Sequence, residues 1–317
     1  MRIGWVGVHS EGIPALAAVC AAEYDVVGML TLRRDKAERR CGSADYETIC
    51  EDYDIPLHEV DNINDESSVT LLKSWNCDLL VVLGWGQILG PDVLNTARVG
   101  AVGAHASLLP HNRGSAPVNW AIIRGEQQTG NSLIWLSEGV DTGELIDQRA
   151  FPITPYDTCS TIYDEVAASN RDMLLDLCFR LEAGERPGEP QPHSDEDALP
   201  RRRPKDGLID WNRRSKDIYN MVRALTRPYP GAFADLNGQT YHVWNTAMLP
   251  LPAAVALPGT VLGSVCCPDS SACGQLVATK DGAILLLEVE DKHGQVLRGR
   301  ELSEQNWTAR TRLRDAA

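Results

Sequence analysis

No window of the 317 residues strings together the roughly 18 apolar positions that a spanning helix requires. Positive charge is also scarce: 30 Lys and Arg stand against 44 Asp and Glu, a formal net charge of −14. Polyanions are normally met by basic surfaces, so this balance argues against a nucleic-acid partner. No targeting leader is expected either, since Met1-Arg2 runs straight into a short strand-like segment and Glu11 follows early. The expected location is therefore cytoplasmic, with no membrane partner. Nine cysteines lack a regular frame, and no His or fourth Cys completes a zinc set around Cys266, Cys267 and Cys273, so no metal is expected. Gly4, Gly7 and Gly12 fall in a G-x-x-G-x-x-x-x-G pattern that departs from the dinucleotide fingerprint. The acidic residue expected roughly 20 positions further on is not cleanly placed, and no nicotinamide cofactor is expected. There is no internal repeat.

What is present is ordinary globular composition over a length that suits about two domains. In the first half, strand-like runs alternate with helical ones. Strands are predicted over Arg2–Val8, Val26–Thr31, Cys77–Gly84, Val99–Ala104 and Ser132–Leu136. Helices are predicted over Glu11–Glu23, Tyr46–Asp52, Asp65–Trp75, Ala116–Arg124 and Thr158–Glu182. The unbroken apolar run of Cys77–Gly84 is that of a strand buried on both faces. The pattern predicts an α/β fold with an open, doubly wound, mainly parallel sheet, over residues 1–187. A Pro-, Gly- and charge-rich stretch at 188–208 reads as a linker. Residues 209–317, with one helix at Ser215–Leu225 and five short β-runs, read as a smaller β-rich C-terminal domain in the form of a barrel or sandwich. Ligands of such α/β sheets gather at the carboxyl ends of the strands, which points to the loops after Val8, Gly84 and Ala104.

Of those loops the third is the most informative. In Gly103–Gly114 (GAHASLLPHNRG), His105 directly follows a buried strand, and Pro110 and Gly114 shape an irregular loop. About thirty residues later a Gly-bounded acidic loop, Glu138-Gly139-Val140-Asp141-Thr142-Gly143, could bring a carboxylate to it. A His beside an apolar strand can be purely structural. Paired with a carboxylate that fixes its tautomer, it is an acid/base group.

The longer pattern H-x-S-L-L-P-x-x-R-G-x-x-P-x-x-W-A carries a resemblance. His105, Ser107, Leu108, Leu109, Pro110, Arg113, Gly114, Pro117, Trp120 and Ala121 match, followed by Thr129-Gly130, Asp141-Thr142-Gly143, Asp157-Thr158, Pro204–Trp211, Arg223–Leu225 and Pro228–Ala232. In this order they resemble the folate-dependent formyltransferase family, which includes methionyl-tRNA and amino-sugar N-formyltransferases. The resemblance implies attack of an amine on the formyl carbon of 10-formyltetrahydrofolate; a departure from the family at Gly103 adds a formimino analogue as an alternative tetrahydrofolate donor. His105 and Asp141 would be the catalytic pair. Trp85, Gln87, Ile88 and Leu89, with Glu138, Gly139, Val140 and Asp141, would bracket the pterin, and Ser107, Arg113 and Gly114 would contact the substrate.

One family position departs: Gly103 stands where the family has an Asn that donates to the formyl oxygen, a loss worth about 10²–10³ in rate. Three accounts follow. The site is inactive, another donor such as Asn131, Asn119 or a water replaces the amide, or the transferred unit is a formimidoyl group that develops no oxyanion. With the pair retained, a working enzyme with an altered donor or group is the expectation. By charge, the expected acceptor is a small-molecule amine such as an amino-sugar or basic antibiotic, with tRNA an unlikely partner. A methionyl-tRNA formyltransferase, a 10-formyltetrahydrofolate hydrolase and a non-catalytic folate-binding homologue are the alternatives.

Overall fold

Period-two burial builds the first sheet. In the strand Leu79–Leu83 every residue is buried; Leu79, Val81 and Leu83 enter one core layer and Leu80 and Val82 the other. The helix Cys159–Glu182 covers the first layer with Met173, Leu174, Leu177 and Cys178, while the helix Glu66–Ser74 covers the second with Val69 and Leu72. A strand between two such layers has no polar face, which explains its unbroken apolar sequence.

The computed structural model describes residues 1–236, 239–249, 256–268, 272–307 and 313–314. Five parallel strands form the main sheet: β1 (Arg2–Gly7), β2 (Asp25–Leu32), β3 (Leu57–Val60), β4 (Leu79–Leu83) and β5 (Gly100–His105). Antiparallel β6 (Gln128–Trp135) and β7 (Leu145–Pro152) extend it, giving the order β3-β2-β1-β4-β5-β6-β7. The fold is thus α/β with a mostly parallel sheet, as the sequence pattern implies. β3 and β7 are additions to that pattern. β7 (LIDQRAFP) is a half-exposed edge strand whose polar positions hide its period. Because β1 lies between β2 and β4, the crossovers leave β1 on opposite sides, and the switch point opens beside the carboxyl ends of β1 and β4.

By internal packing the chain divides into two units. One comprises residues 1–117, 128–152 and 161–201; the other comprises 118–127, 153–160 and 202–317. The stretch read as a linker is divided between them. Its first part, 188–201, lies against the first unit through bridges at Leu145–Glu189 and Gly114–Leu199.

The second unit is built on an antiparallel sheet of β8 (Ala232–Leu236), β9 (Gln239–Leu249), β10 (Val261–Cys266), β11 (Cys273–Ala278), β12 (Ala283–Asp291), β13 (Val296–Arg298) and β14 (Leu313–Arg314). Its order is β10-β11-β12-β9-β8-β14, with β13 on β12. The helix Ser215–Leu225 buries Ile218, Val222 and Leu225, spaced i, i+4, i+7, in the core of this unit. Cys266 and Cys273, opposite each other in the β10–β11 hairpin, form a disulfide. Among the described residues no helix is long and apolar enough to cross a membrane, and no group of His, Cys, Asp or Glu is arranged to hold a metal ion.

Candidate active site

The switch point holds a cavity of about 500 Å³. Three strand ends supply its walls: Glu11 after β1, Gly84–Leu89 after β4 and Gly103–Ala106 at the end of β5. Ser137 and Gly139–Asp141, from the β6–β7 loop, supply a fourth.

His105 is almost wholly buried and its ring is fixed at both nitrogens. Nε2 donates to the Asn112 carbonyl at 2.8 Å, and Nδ1 lies 3.5 Å from Asp141 Oδ2. That same carboxylate oxygen accepts from the Gly114 amide at 2.9 Å. Asp141 itself sits at φ +53°, in the left-handed region that costs a non-glycine residue energy, so its placement needs restraint. Gln191 supplies it, donating from Nε2 to the Asp141 carbonyl (2.9 Å) and the Gly143 carbonyl (2.8 Å). Leu199 pins the other side of the site, its amide donating to the Arg113 carbonyl and its carbonyl accepting from the Ser115 amide. A segment that reads as a tether is therefore part of what holds the carboxylate.

The predicted residues separate into two groups. His105, Asp141, Gly103, Trp85, Gln87, Ile88, Leu89, Gly139, Val140 and Gly114 all line the cavity. Glu138 is exposed outside the lining. Ser107 is buried, with its hydroxyl donating to the His111 carbonyl, and Arg113 donates to the Ser194 carbonyl; neither lines the cavity. Gln87 spends its amide on the fold, accepting from the Ile63 N–H and donating to the Asp61 carbonyl.

Gly103 lies in β5 between Val82 and Ile134 with no left-handed φ. A Cβ added there would stand 2.8 Å from Leu136 Cδ2 and 3.1 Å from the Val82 carbonyl oxygen. A methyl group of Leu136 thus takes space that a side chain at 103 would need. The two amides considered as replacements are committed elsewhere. Asn131 Nδ2 is bonded to Asn170 Oδ1 and Ser169 Oγ inside the first unit, and Asn119 Nδ2 donates to the Ala224 carbonyl in the second.

Sequence reasoning missed a second polar cluster on the β1 wall. Glu11 is largely removed from solvent, and burial pushes its carboxyl up to about 7. His9 Nδ1 accepts from the Glu11 amide at 3.3 Å and lies 3.4 Å from Glu11 Oε2, and burial pulls its imidazole down to about 4. Tyr163 places its ring 5.1 Å from that of His9, and Tyr46 donates its hydroxyl to the His9 carbonyl. The signal was available: an acid four residues beyond the end of β1 in a doubly wound sheet stands at the switch point.

Comparison with known proteins identifies the family. Residues 25–177 match the formyl transferase model, and residues 202–306 match that of the formyl transferase C-terminal domain. The chain is 34% identical over 298 residues to a methionyl-tRNA formyltransferase of Symbiobacterium thermophilum, covering 93% of this chain and 89% of that one. In fold it is similar to HypX from Aquifex aeolicus, solved in complex with tetrahydrofolic acid, at TM-score 0.64 and 19% identity. That match covers 94% of this chain and 45% of HypX, so the chain spans about half of that protein's length. It is similar also to an N-formyltransferase from Helicobacter canadensis, solved with folinic acid and dTDP-3-aminofucose, at TM-score 0.66 and 15% identity, covering 90% and 98%. The expectation that tRNA is an unlikely partner is overturned by the methionyl-tRNA formyltransferase relatives. Net charge sums the whole molecule and does not report where on the surface the charges lie. The chain belongs to the formyltransferase family.

Proposed function

We propose that this protein transfers a one-carbon unit from a tetrahydrofolate derivative to a primary amine, and that the amine is the α-amino group of an aminoacyl-tRNA. The observation that carries the reaction class is the approach of His105 Nδ1 to Asp141 Oδ2 at 3.5 Å inside the switch-point cavity. The 34% identity to a methionyl-tRNA formyltransferase supports that acceptor.

The cavity suits a folate. Ile88 and Val140, 66% and 49% exposed, offer apolar surface from two different loops, as the faces of a flat pterin require. Trp85 also lines it, with a buried Nε1–H that has no partner among the described residues. When bound, the folate supplies an electrophilic carbon; the chain's own residues handle protons. An attacking amine must shed a proton, and the His105–Asp141 pair can hold one at Nδ1 while Nε2 stays bonded to Asn112. The Gly114 amide and Gln191 keep the carboxylate aimed.

The test is loss of 10-formyltetrahydrofolate with and without methionyl-tRNA. Amine-dependent loss is expected. Loss without amine would instead make the protein a hydrolase, and binding without loss a sensor. His105→Ala is expected to abolish transfer with little change in melting temperature, because the ring lies at a strand end; retained activity removes His105 from the mechanism.

Gly103 favours a second reading. The cavity offers no amide at that position, and Leu136 supplies a methyl group instead. A formimidoyl unit carries N–H where formyl carries oxygen and loses little without the donor. A formimidoyl donor tested in parallel, with an amino-sugar as alternative acceptor, decides between the two.

A further inference from the structure

We infer that Glu11 is the residue that receives the acceptor's ammonium group, held in place by His9 across the cavity from His105. The inference rests on the reading above that the acceptor is a primary amine.

Position comes first. Glu11 lies in the one-turn segment Ser10–Gly12 that follows β1. β4 separates β1 from β5, so at ordinary strand spacing the Glu11 turn stands about 10 Å from the strand that carries His105. Both residues line the same cavity. The loops that suit the folate, after β4 and between β6 and β7, leave the β1 wall for the second substrate.

The electrostatics of that wall are unbalanced. The Glu11 side chain is only 11% exposed, yet among the described residues no Lys or Arg forms an ion pair with it. Arg40 and Arg201 line the cavity without reaching its carboxyl. His9 cannot supply the missing charge. Its Nδ1 already accepts the Glu11 N–H, and its ring is wedged beside Gly42, Gly84 and Tyr163, where burial keeps it neutral. A buried carboxylate without a counter-ion is costly, and a ligand cation entering the cavity offsets that cost. A primary amine arrives as R–NH3⁺. It pairs with the Glu11 carboxylate, and passing one proton to an Oε leaves R–NH2 and a neutral carboxylic acid, with charge and protons conserved. The freed lone pair is the one that attacks. His9 contributes through the backbone, accepting the Glu11 N–H and so fixing the turn that carries the carboxyl.

The test uses the full-length protein and two probe pairs, L-methioninamide and glucosamine with their N-acetyl derivatives. At pH 6 the infrared C=O band of a protonated carboxylic acid is expected to fall when an amine probe saturates the wild type. No such fall is expected with the N-acetyl compounds or in Glu11→Gln. Calorimetry should show amine Kd rising at least tenfold in Glu11→Gln, with Glu11→Asp between the two and 5-formyltetrahydrofolate binding within twofold of wild type. Failure of the wild type to prefer the charged member of either pair, or equal amine binding by Glu11→Gln, overturns the inference. Wild type that binds amines through Glu11 yet transfers no one-carbon unit overturns the proposed reaction and leaves the ammonium site standing.

Discussion

A buried carboxyl whose proton affinity rises on folding makes stability depend on pH in a definite direction. Glu11 ionises near its ordinary 4.5 in the unfolded chain and near about 7 in the folded one. Between those values the unfolded state has released a proton that the folded state still holds, so stability falls as pH rises through that window. The full loss is about 3 kcal/mol. Gln cannot titrate, so the melting temperature of Glu11→Gln should exceed that of wild type by a margin that widens from pH 4.5 to 7 and then levels; thermal scans at half-unit steps would check it. Gly103 gives the other test at this scale. Its backbone is extended, so the main obstacle to Gly103→Asn is the Leu136 methyl at 2.8 Å, with the Val82 carbonyl oxygen at 3.1 Å a tight but lesser contact, rather than φ. In a Leu136→Ala background, Gly103→Asn should raise formyl transfer by about 10- to 100-fold. A fall with formyl donor and a larger fall with formimidoyl donor would mark the second reading as the correct one.

The element that matters most to the site is the β6–β7 hairpin with the 188–201 segment laid against it. The hairpin carries Asp141 at its bend, and a Cβ on Gly143 would fall inside the Trp135 carbonyl oxygen, so the bend tolerates little change. Gln191 closes it from outside. Gln191→Ala removes two side-chain-to-backbone bonds, a loss of about 2 kcal/mol. Because the freed loop carries the carboxylate, kcat is expected to drop at least tenfold while folate binding changes less. An unchanged kcat would show that Gly114 alone is enough to aim Asp141.

At the scale of the molecule, the two units have distinct cores. In the second, Arg223 is 8% exposed and donates to the Thr154 and Asp157 carbonyls and to Asn220 Oδ1. Arg223→Met removes the buried guanidinium and its bonds to the Thr154 and Asp157 carbonyls and to Asn220 Oδ1, at a cost of about 3 kcal/mol. Calorimetry should show the transition of the second unit moving down by several degrees while binding of 5-formyltetrahydrofolate to the first unit, measured well below that transition, stays as in wild type.

Local patterns in the sequence were enough for the alternation of β1, β2, β4 and β5 with their helices, for the Ser215–Leu225 helix and for the place of His105 at a strand end. Each depends on periodicity or on a turn residue within a few positions. The family resemblance was legible for the same reason, since its motif sits in one continuous loop with its partners in order along the chain. Edge strand β7 was not legible, because a half-exposed strand has no clean period. Nor was the role of residues 188–201, whose Pro- and charge-rich composition is that of a tether while their bonds to Arg113, Ser115, Asp141 and Gly143 join positions 48 to 86 residues apart. Glu11 shows the same limit most plainly. In sequence it is one acid among 44; burial at the switch point, without a cation beside it, is what gives its carboxyl a chemistry, and burial is a property that only the assembled sheet confers.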